Sequence, residues 1–456
     1  MKINIYNNKY LIILIFLITG VTNSYLSVCV SYLIMMYCII KNDNKVLWFF
    51  LLMTIFSNIY LVFLSKNFDN TSTSLLLGCR EVMMYLCIII GVKKWNKIQK
   101  DTLVWLLFFM LIIITALMMD GESKNIIIAT RQLVIPFICY YFGAQIKIEE
   151  NMMTKVYDFI IKSSCIISIL GYIELITLGD GWWSMLGIQQ FELNKFGTFI
   201  SYNDVPLNYY SWDLMFIIPE PIRRLVSIFA NPLVTSHYLF LGFLILSFHD
   251  NVMHRRTKML VVGIAFALTL SKGLFLMVLI YWGMYYIRKK SYGFIIGSVG
   301  FFLVFSFVLI ILGINYFYAF SEGSAVGNHL GGLINGFTNT GLIGNGLGTA
   351  GTNLAMMNGE ADSLDYVAES FLAVLTAQLG YAGFFVFMIY WLKKIKALIC
   401  QYKISGHGNS YALSIFLIGL LLESLFSESS ITVSGSGIVF ILIGIELNNR
   451  ARIRWE

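Results

Sequence analysis

The amino-acid sequence predicts an all-α polytopic membrane protein with about fourteen transmembrane helices. The first observation is composition, since 58% of the residues are hydrophobic and only 12% are charged. Soluble domains usually carry about a quarter charged residues, so this chain has too few charges to cover a water-facing surface. The second observation is the succession of apolar runs. In lipid each backbone amide must be paired within its own segment, so these runs predict helices.

The apolar runs define fourteen predicted segments. To within several residues they cover about 10–24, 26–40, 46–65, 75–92, 102–119, 126–145, 156–177, 232–248, 258–270, 273–287, 293–313, 368–392, 411–427 and 432–447. The pairs 10–24/26–40 and 258–270/273–287 are so closely spaced that each can form either a tight hairpin or one long broken helix. The amino-terminal run is interpreted as an uncleaved first helix, because no small-residue cleavage pattern follows it.

Basic residues predict the orientation of the chain. Basic groups at 254–258 and 288–290 flank the second close pair, and basic loops remain in the cytoplasm, so an even number of crossings lies between them. The turn Ser271-Lys272-Gly273 is then expected at the outer face. Most of the 32 Lys and Arg residues fall on one side of this topology, which predicts that both termini are cytoplasmic. The same asymmetry accounts for the net charge of +7 without a nucleic-acid partner.

Chain organisation is interpreted as one transmembrane domain over 1–456 with two large loops on the outer side, at 178–228 and 314–367. The first loop is rich in aromatic residues and the second in glycine. Connections this long are commonly functional. The seven cysteines lie mostly in apolar runs and are expected to be free thiols. The sequence contains no Cys/His cluster and no phosphate-binding loop, so neither a metal nor another cofactor is expected.

Cations at the outer helix ends are the first candidate site residues. Arg223 and Arg224 precede a predicted helix, where arginine forks can bind phosphate oxygens or simply anchor to lipid head groups. Lys272 lies in an apolar hairpin and can bind a ligand or extend to the interface. Arg131, near the start of a helix, can pair with a carboxylate or face a cavity.

Glu369 and His329 are the candidate catalytic residues. Glu369 begins an apolar helix, where a carboxylate either favours the helix dipole or, in a desolvated cavity, acts as a general base. His329 lies in the glycine-rich loop, where a lone histidine is more often structural than catalytic.

Four motifs occur in an order that resembles the O-antigen polymerase and O-antigen ligase superfamily. They are the Arg…Phe…Asn-Pro segment from Arg224 to Tyr238, the Ser-Lys-Gly turn at 269–273 (Thr-Leu-Ser-Lys-Gly), the glycine loop at 342–348, and Glu369-Ser370 followed by Gly380-x-x-Gly383. The ligases carry histidine where this chain has Glu369. In addition, Asn328 separates Gly327 from His329, whereas the polymerases often have Gly-His before the glycine loop. The departure at Glu369 favours the Wzy-type polymerases.

The resemblance implies a GT-C-like helical bundle in the bacterial inner membrane that acts on the periplasmic side. Such polymerases transfer a growing glycan from one undecaprenyl pyrophosphate to the non-reducing end of a repeat unit held by another, without metal or nucleotide. Arg224, Lys272, Arg131 and Arg223 are then expected to bind the pyrophosphate, and Glu369, with His329 as the second candidate, to act as base. Expected partners are lipid-linked glycans, membrane lipid and a chain-length regulator. The alternatives are a ligase that transfers glycan to lipid A core, and a flippase or transporter of lipid-linked oligosaccharide.

Overall fold

A computed structural model describes residues 21–41, 43–92, 102–117, 123–212, 220–249, 252–288, 333–338, 340–351 and 370–453. Within these ranges the chain is almost entirely helical. The strands form only two pairs of two-residue strands, β1 (Ser201–Tyr202) with β2 (Val205–Pro206), and β3 (Tyr210–Ser211) with β4 (Ile222–Arg223). The predicted all-α class is therefore confirmed for the part of the chain that is described.

Fourteen helices in the described ranges are labelled here in chain order. They are α1 (Ser24–Lys41), α2 (Asp43–Phe63), α3 (Asn70–Val92), α4 (Thr102–Leu117), α5 (Ser123–Gln145), α6 (Glu150–Ile173), α7 (Gly179–Leu186), α8 (Ile188–Phe196), α9 (Pro232–Phe248), α10 (Arg255–Leu268), α11 (Lys272–Arg288), α12 (Phe371–Ser405), α13 (Gly408–Glu423) and α14 (Ile438–Ile453). A π-helical turn, Glu174–Leu178, extends α6, and another, Val433–Gly437, precedes α14. Residues 333–338 form a further short helix.

Seven described helical stretches are long and apolar enough to cross a membrane. They are Ser24–Lys41, Asn44–Phe63, Asn70–Ile90, Asn125–Gln145, Asn151–Leu186, Phe371–Ser405 and Glu428–Asn448, and Pro232–Phe248 and Gly408–Glu423 are shorter apolar helices. Twelve of the fourteen predicted segments coincide with described helices. Segment 293–313 lies outside the described residues and 10–24 almost wholly so. The total of fourteen spans therefore stays a prediction.

The centre of the bundle contains a close contact between α5 and α14. Gly143 on α5 lies so near the backbone carbonyl of Ile441 that a methyl group there would collide with it, and Gly444 lies equally close to the carbonyl of Tyr140. Small residues at facing positions let two helix backbones approach, which is a common means of helix association in lipid. This contact fixes α5, which carries Arg131.

The first large loop folds back onto the turn between α2 and α3. The side-chain amide of Asn194 in α8 donates to the carbonyl oxygens of Ser65, at 3.2 Å, and Phe68. Gly187, with φ of +93°, leaves no room for a side chain beside the Ser65 hydroxyl. The described part of this loop, predicted only as an aromatic connection, thus contains two short helices at a fixed position over α2 and α3.

Candidate functional site

Arg224 is held against the turn between α10 and α11. Its backbone follows the pair β3 (Tyr210–Ser211) and β4 (Ile222–Arg223), and the next residue, Leu225, donates its amide to the carbonyl of Leu268 at 2.9 Å. The Nε of Arg224 donates to the carbonyl oxygen of Thr269 at 2.7 Å, and its Nη1 donates to the carbonyl of Asn208 at 3.2 Å. The arginine motif and the Ser-Lys-Gly turn, 45 residues apart in sequence, are therefore in direct contact.

The Ser-Lys-Gly turn packs on a buried carboxylate. Lys272 begins α11, and its side chain lies outside the described part of the structure. The adjoining Ser271 hydroxyl is buried and has no hydrogen-bond partner among the described residues. Gly273 lies directly on the carboxylate of Glu423, which would collide with any side chain at that position. The turn is thus fixed from α13 while Ser271 keeps an available donor beside Lys272.

Glu423 is itself paired with His237. The imidazole Nε2 donates to the carboxylate at 2.7 Å, and both side chains are only 1% exposed. His237 lies within the segment from Arg224 to Tyr238, and its local sequence does not predict this partner. A buried carboxylate needs a partner of this kind, because desolvation of an unpaired charge is costly. The pair joins α9 to α13 beneath the turn that carries Lys272.

Arg223 has carboxylates among the acceptors of its guanidinium, whereas the described acceptors of Arg224 are backbone carbonyls. Its Nη2 donates to Glu174 at 2.7 Å, its Nε to Asp180 at 2.6 Å, and its Nη1 to the carbonyls of Tyr209 and Arg224. The rings of Tyr209 and Tyr210 lie 4.9 and 5.6 Å from the guanidinium carbon. Each of its three guanidinium nitrogens therefore donates to a group in or beside the first large loop. These bonds give Arg223 a positioning role beside Arg224.

Glu174 is the centre of this loop contact. One oxygen accepts the indole N–H of Trp183 at 2.8 Å in addition to Arg223, and the other accepts the backbone amides of Val226 and Ser227. The side chain is 4% exposed and lies in the π-helical end of α6. Nothing in the local sequence distinguishes it, because its role depends on a β pair about 50 residues further along the chain.

Arg131 pairs with Glu81 in the bidentate arrangement that arginine and carboxylate favour. Its Nε donates to Glu81 at 2.6 Å and its Nη2 donates to the second carboxylate oxygen. The Arg131 side chain remains 52% exposed. Of the two alternatives, pairing with a carboxylate is therefore the one observed.

The glycine loop is inserted into a break in α12. At Gly380 the helix has φ of +73° and ψ of −177°, a conformation outside the helical region. Loop amides replace the lost helical hydrogen bonds, because Asn345 donates to Ala377 at 2.7 Å and Gly346 to Gln378 at 3.3 Å. A side chain at Gly344 or Gly380 would collide with the opposing backbone. The third and fourth motifs of the sequence analysis therefore form one unit.

Ser370 marks the position of the last motif. Its hydroxyl caps α12 by accepting the amide of Ala373 at 3.2 Å, and it donates to the carbonyl of Ser424 at 3.1 Å. Ser424 follows Glu423, so the start of α12 adjoins the carboxylate beneath the Ser-Lys-Gly turn. Glu369 and His329 lie outside the described residues, and their catalytic roles stay predictions.

The chain matches no model of a known protein family, and no curated protein matches it. Within the described ranges no three His, Cys, Asp or Glu side chains are grouped closely enough to hold a metal ion. The described residues place the guanidinium of Arg224 beside a turn that carries the buried Ser271 hydroxyl. Arginine forks are suited to phosphate oxygens.

Proposed function

We propose that this chain is a glycosyltransferase of the O-antigen polymerase type, acting at the periplasmic face of the bacterial inner membrane within a GT-C-like bundle. The observation that supports this best is the contact of Arg224 with the Ser-Lys-Gly turn. Segments that resemble the superfamily in sequence meet in two pairs, one at this turn and one at Gly380. If the four motifs matched the superfamily only by chance, they would not be expected to contact one another in the fold.

The proposed reaction joins two lipid-linked glycans. A hydroxyl oxygen at the non-reducing end of the acceptor repeat attacks the anomeric carbon of the donor chain, and the bond from that carbon to the undecaprenyl pyrophosphate breaks. Glu369 takes the hydroxyl proton, and His329 is the second candidate for this role. The departing pyrophosphate keeps the bonding electron pair, and Arg224 and Lys272 neutralise the charge that develops on it.

The remaining cations divide between two tasks in this proposal. Arg223 positions the strand that presents Arg224, because its own donors are taken by Glu174 and Asp180. Arg131 has a side chain that is 52% exposed, and it contributes to anion binding. No metal or nucleotide takes part, since the leaving group is already an activated pyrophosphate.

The proposed orientation places the turns at Ser65–Asn67 and Thr269–Ser271 on the periplasmic side together with the first large loop. Two observations support a common side. Asn194 of the loop binds the first turn, and Arg224 of the same loop binds the second. The predicted distribution of Lys and Arg then gives that side as the outer one.

A deletion of the gene tests the proposal against the two alternatives. Loss of a polymerase should leave lipopolysaccharide with a single repeat on each core, because ligation and transport continue. Loss of a ligase or of a flippase should leave cores without any repeat. A strain that carries cores without repeats, restored to full length by the wild-type gene, would therefore overturn the polymerase proposal.

A further inference from the structure

The end of α13 lies between the two charged parts of the proposed site. Glu423 is the last residue of α13, and Ser424 follows it. The carboxylate of Glu423 lies on Gly273 in the Ser-Lys-Gly turn, and the carbonyl oxygen of Ser424 accepts hydrogen bonds from the start of α12. Two consecutive residues therefore contact both the turn that carries Lys272 and the helix start that follows Glu369 in sequence.

The contact with Gly273 is close enough to determine where the turn lies. A methyl group on Gly273 would collide with Oε1, Cδ and Cγ of Glu423. Gly273 is the second residue of α11, so the carboxylate also lies at a helix N-terminus, where negative charge is favourable. The turn needs such support, because Leu270 has φ of +45°, in the left-handed region that leucine rarely adopts.

His237 holds the Glu423 carboxylate in this position. Its Nε2 donates to the carboxylate at 2.7 Å, and both side chains are 1% exposed. On the other side of the ring, a methyl group on Gly435 would lie only 2.8 Å from Nδ1. Gly435 is itself fixed, since its amide donates to the hydroxyl of Thr432 at 3.0 Å. The imidazole is therefore confined between α13 and the π-helical turn before α14.

The start of α12 is bound to the residue that follows Glu423. The Ser370 hydroxyl and the Leu372 amide both donate to the carbonyl oxygen of Ser424, each at 3.1 Å. Ser370 is fully buried and also caps α12. A displacement of the end of α13 would therefore move the start of α12 together with the Ser-Lys-Gly turn.

We propose that His237 and Glu423 are positioning residues that set the Ser-Lys-Gly turn against the start of α12. Because both side chains are buried, they act on a substrate only through the groups that they contact. This assignment rests on the proposed function, in which Lys272 binds the pyrophosphate and Glu369 is the base. Reacting groups that are misplaced by about 1 Å can lose about 100-fold in rate, so loss of the pair should impair both binding and transfer.

Binding of farnesyl pyrophosphate to the purified full-length protein in phosphatidylcholine nanodiscs tests the contact with the turn. His237→Leu and Glu423→Ala should each weaken binding roughly ten- to hundredfold, because the turn is no longer held in place. His237→Gln should restore most of the affinity, since the amide of glutamine can replace Nε2 as the donor to Glu423.

Gly273→Ala tests the same contact from the other side and keeps the test valid if Glu423→Ala does not fold. The added methyl group should push the turn away from the carboxylate, while alanine favours the helix itself. Affinity should fall as in His237→Leu. Gly283→Ala is the matched control in the same helix, because no atom lies within 4 Å of the added methyl group, and its affinity should equal that of the wild type.

A double-mutant cycle with Lys272 separates positioning from a general loss of structure. If His237 acts through the turn, His237→Leu should weaken binding little further once Lys272→Ala is present. A general loss of structure would add its full effect to that of Lys272→Ala. Full additivity in the cycle, or wild-type affinity in both His237→Leu and Gly273→Ala, would overturn the positioning role.

Polymerisation by the same variants tests the contact with α12. At saturating donor, His237→Leu should still lower the rate roughly tenfold, because the start of α12 is displaced as well. A rate equal to that of the wild type would overturn the link to α12. Binding with the expected losses but no polymer from the wild type would overturn the proposed function and leave the positioning of the turn intact. A wild-type protein that binds no pyrophosphate would overturn both.

Discussion

The Nε of Arg224 donates a hydrogen bond of 2.7 Å to the carbonyl oxygen of Thr269. This bond joins the end of the first large loop to the turn before α11, on which Lys272 lies. Together with the bond from its Nη1 to the carbonyl of Asn208, it fixes the orientation of the guanidinium. Arg224 therefore has a structural role, in these hydrogen bonds, and a proposed electrostatic role toward the pyrophosphate. Substitution by lysine keeps the charge but not the fork, and so separates the two roles.

Arg224→Ala should abolish polymerisation while the protein still accumulates in the membrane. Loss of a donor that stabilises developing charge typically lowers the rate about 100- to 1000-fold. Arg224→Lys should recover part of the activity, because lysine supplies the charge but not the fork. Chain-length distribution at matched protein level is the measurement, and full-length glycan from the alanine variant would refute the assigned role.

Arg223→Met should act on stability rather than on chemistry. Removal of one partner from a buried ion pair typically destabilises by about 3–5 kcal/mol, and the partly exposed Asp180 makes the lower end of that range the expectation here. The melting temperature and the membrane yield should both fall. Activity per folded molecule should fall less than in Arg224→Ala, and a fully stable but inactive Arg223→Met protein would contradict the positioning role.

Gly380→Ala should disrupt the joint between the glycine loop and α12. Its φ of +73° disfavours a side chain, and a methyl group would collide with the carbonyl oxygen of Leu342. Thermal stability and polymer length should both decrease. Gly283→Ala is the matched control, since no atom lies within 4 Å of the added methyl group, and it should behave as wild type.

Glu369→Gln tests the general base. An amide cannot accept the hydroxyl proton, and base catalysis typically contributes about 100- to 10,000-fold, so single-repeat product is expected. A carboxylate that only favours a helix dipole contributes about 0.3–1 kcal/mol and would tolerate the change. Glu369→Asp should retain partial activity. Normal chain lengths from the Gln variant would transfer the search for the base to His329.

Sequence patterning predicts the helices well, but it does not predict which charged side chains bind other parts of the protein and which can bind a ligand. Hydropathy alone predicts α9 and α13, because a segment in lipid must be apolar and must pair its own backbone amides. The local sequence does not distinguish Arg223 from Arg224. Only the β pair and the ion pair with Glu174 show that the guanidinium of Arg223 is bound within the loop. Such roles depend on contacts across more than 40 residues.

Polymerisation by the purified protein is the most direct measurement of the central claim. The protein, in nanodiscs with excess chelator, is given an undecaprenyl-pyrophosphate-linked repeat unit, and the products are separated by size. We expect a ladder of lengthened glycans without added metal or nucleotide, and no ladder from Arg224→Ala. Activity that disappears with chelator and returns with magnesium or manganese would contradict the account, as would a wild-type protein that never extends the single repeat.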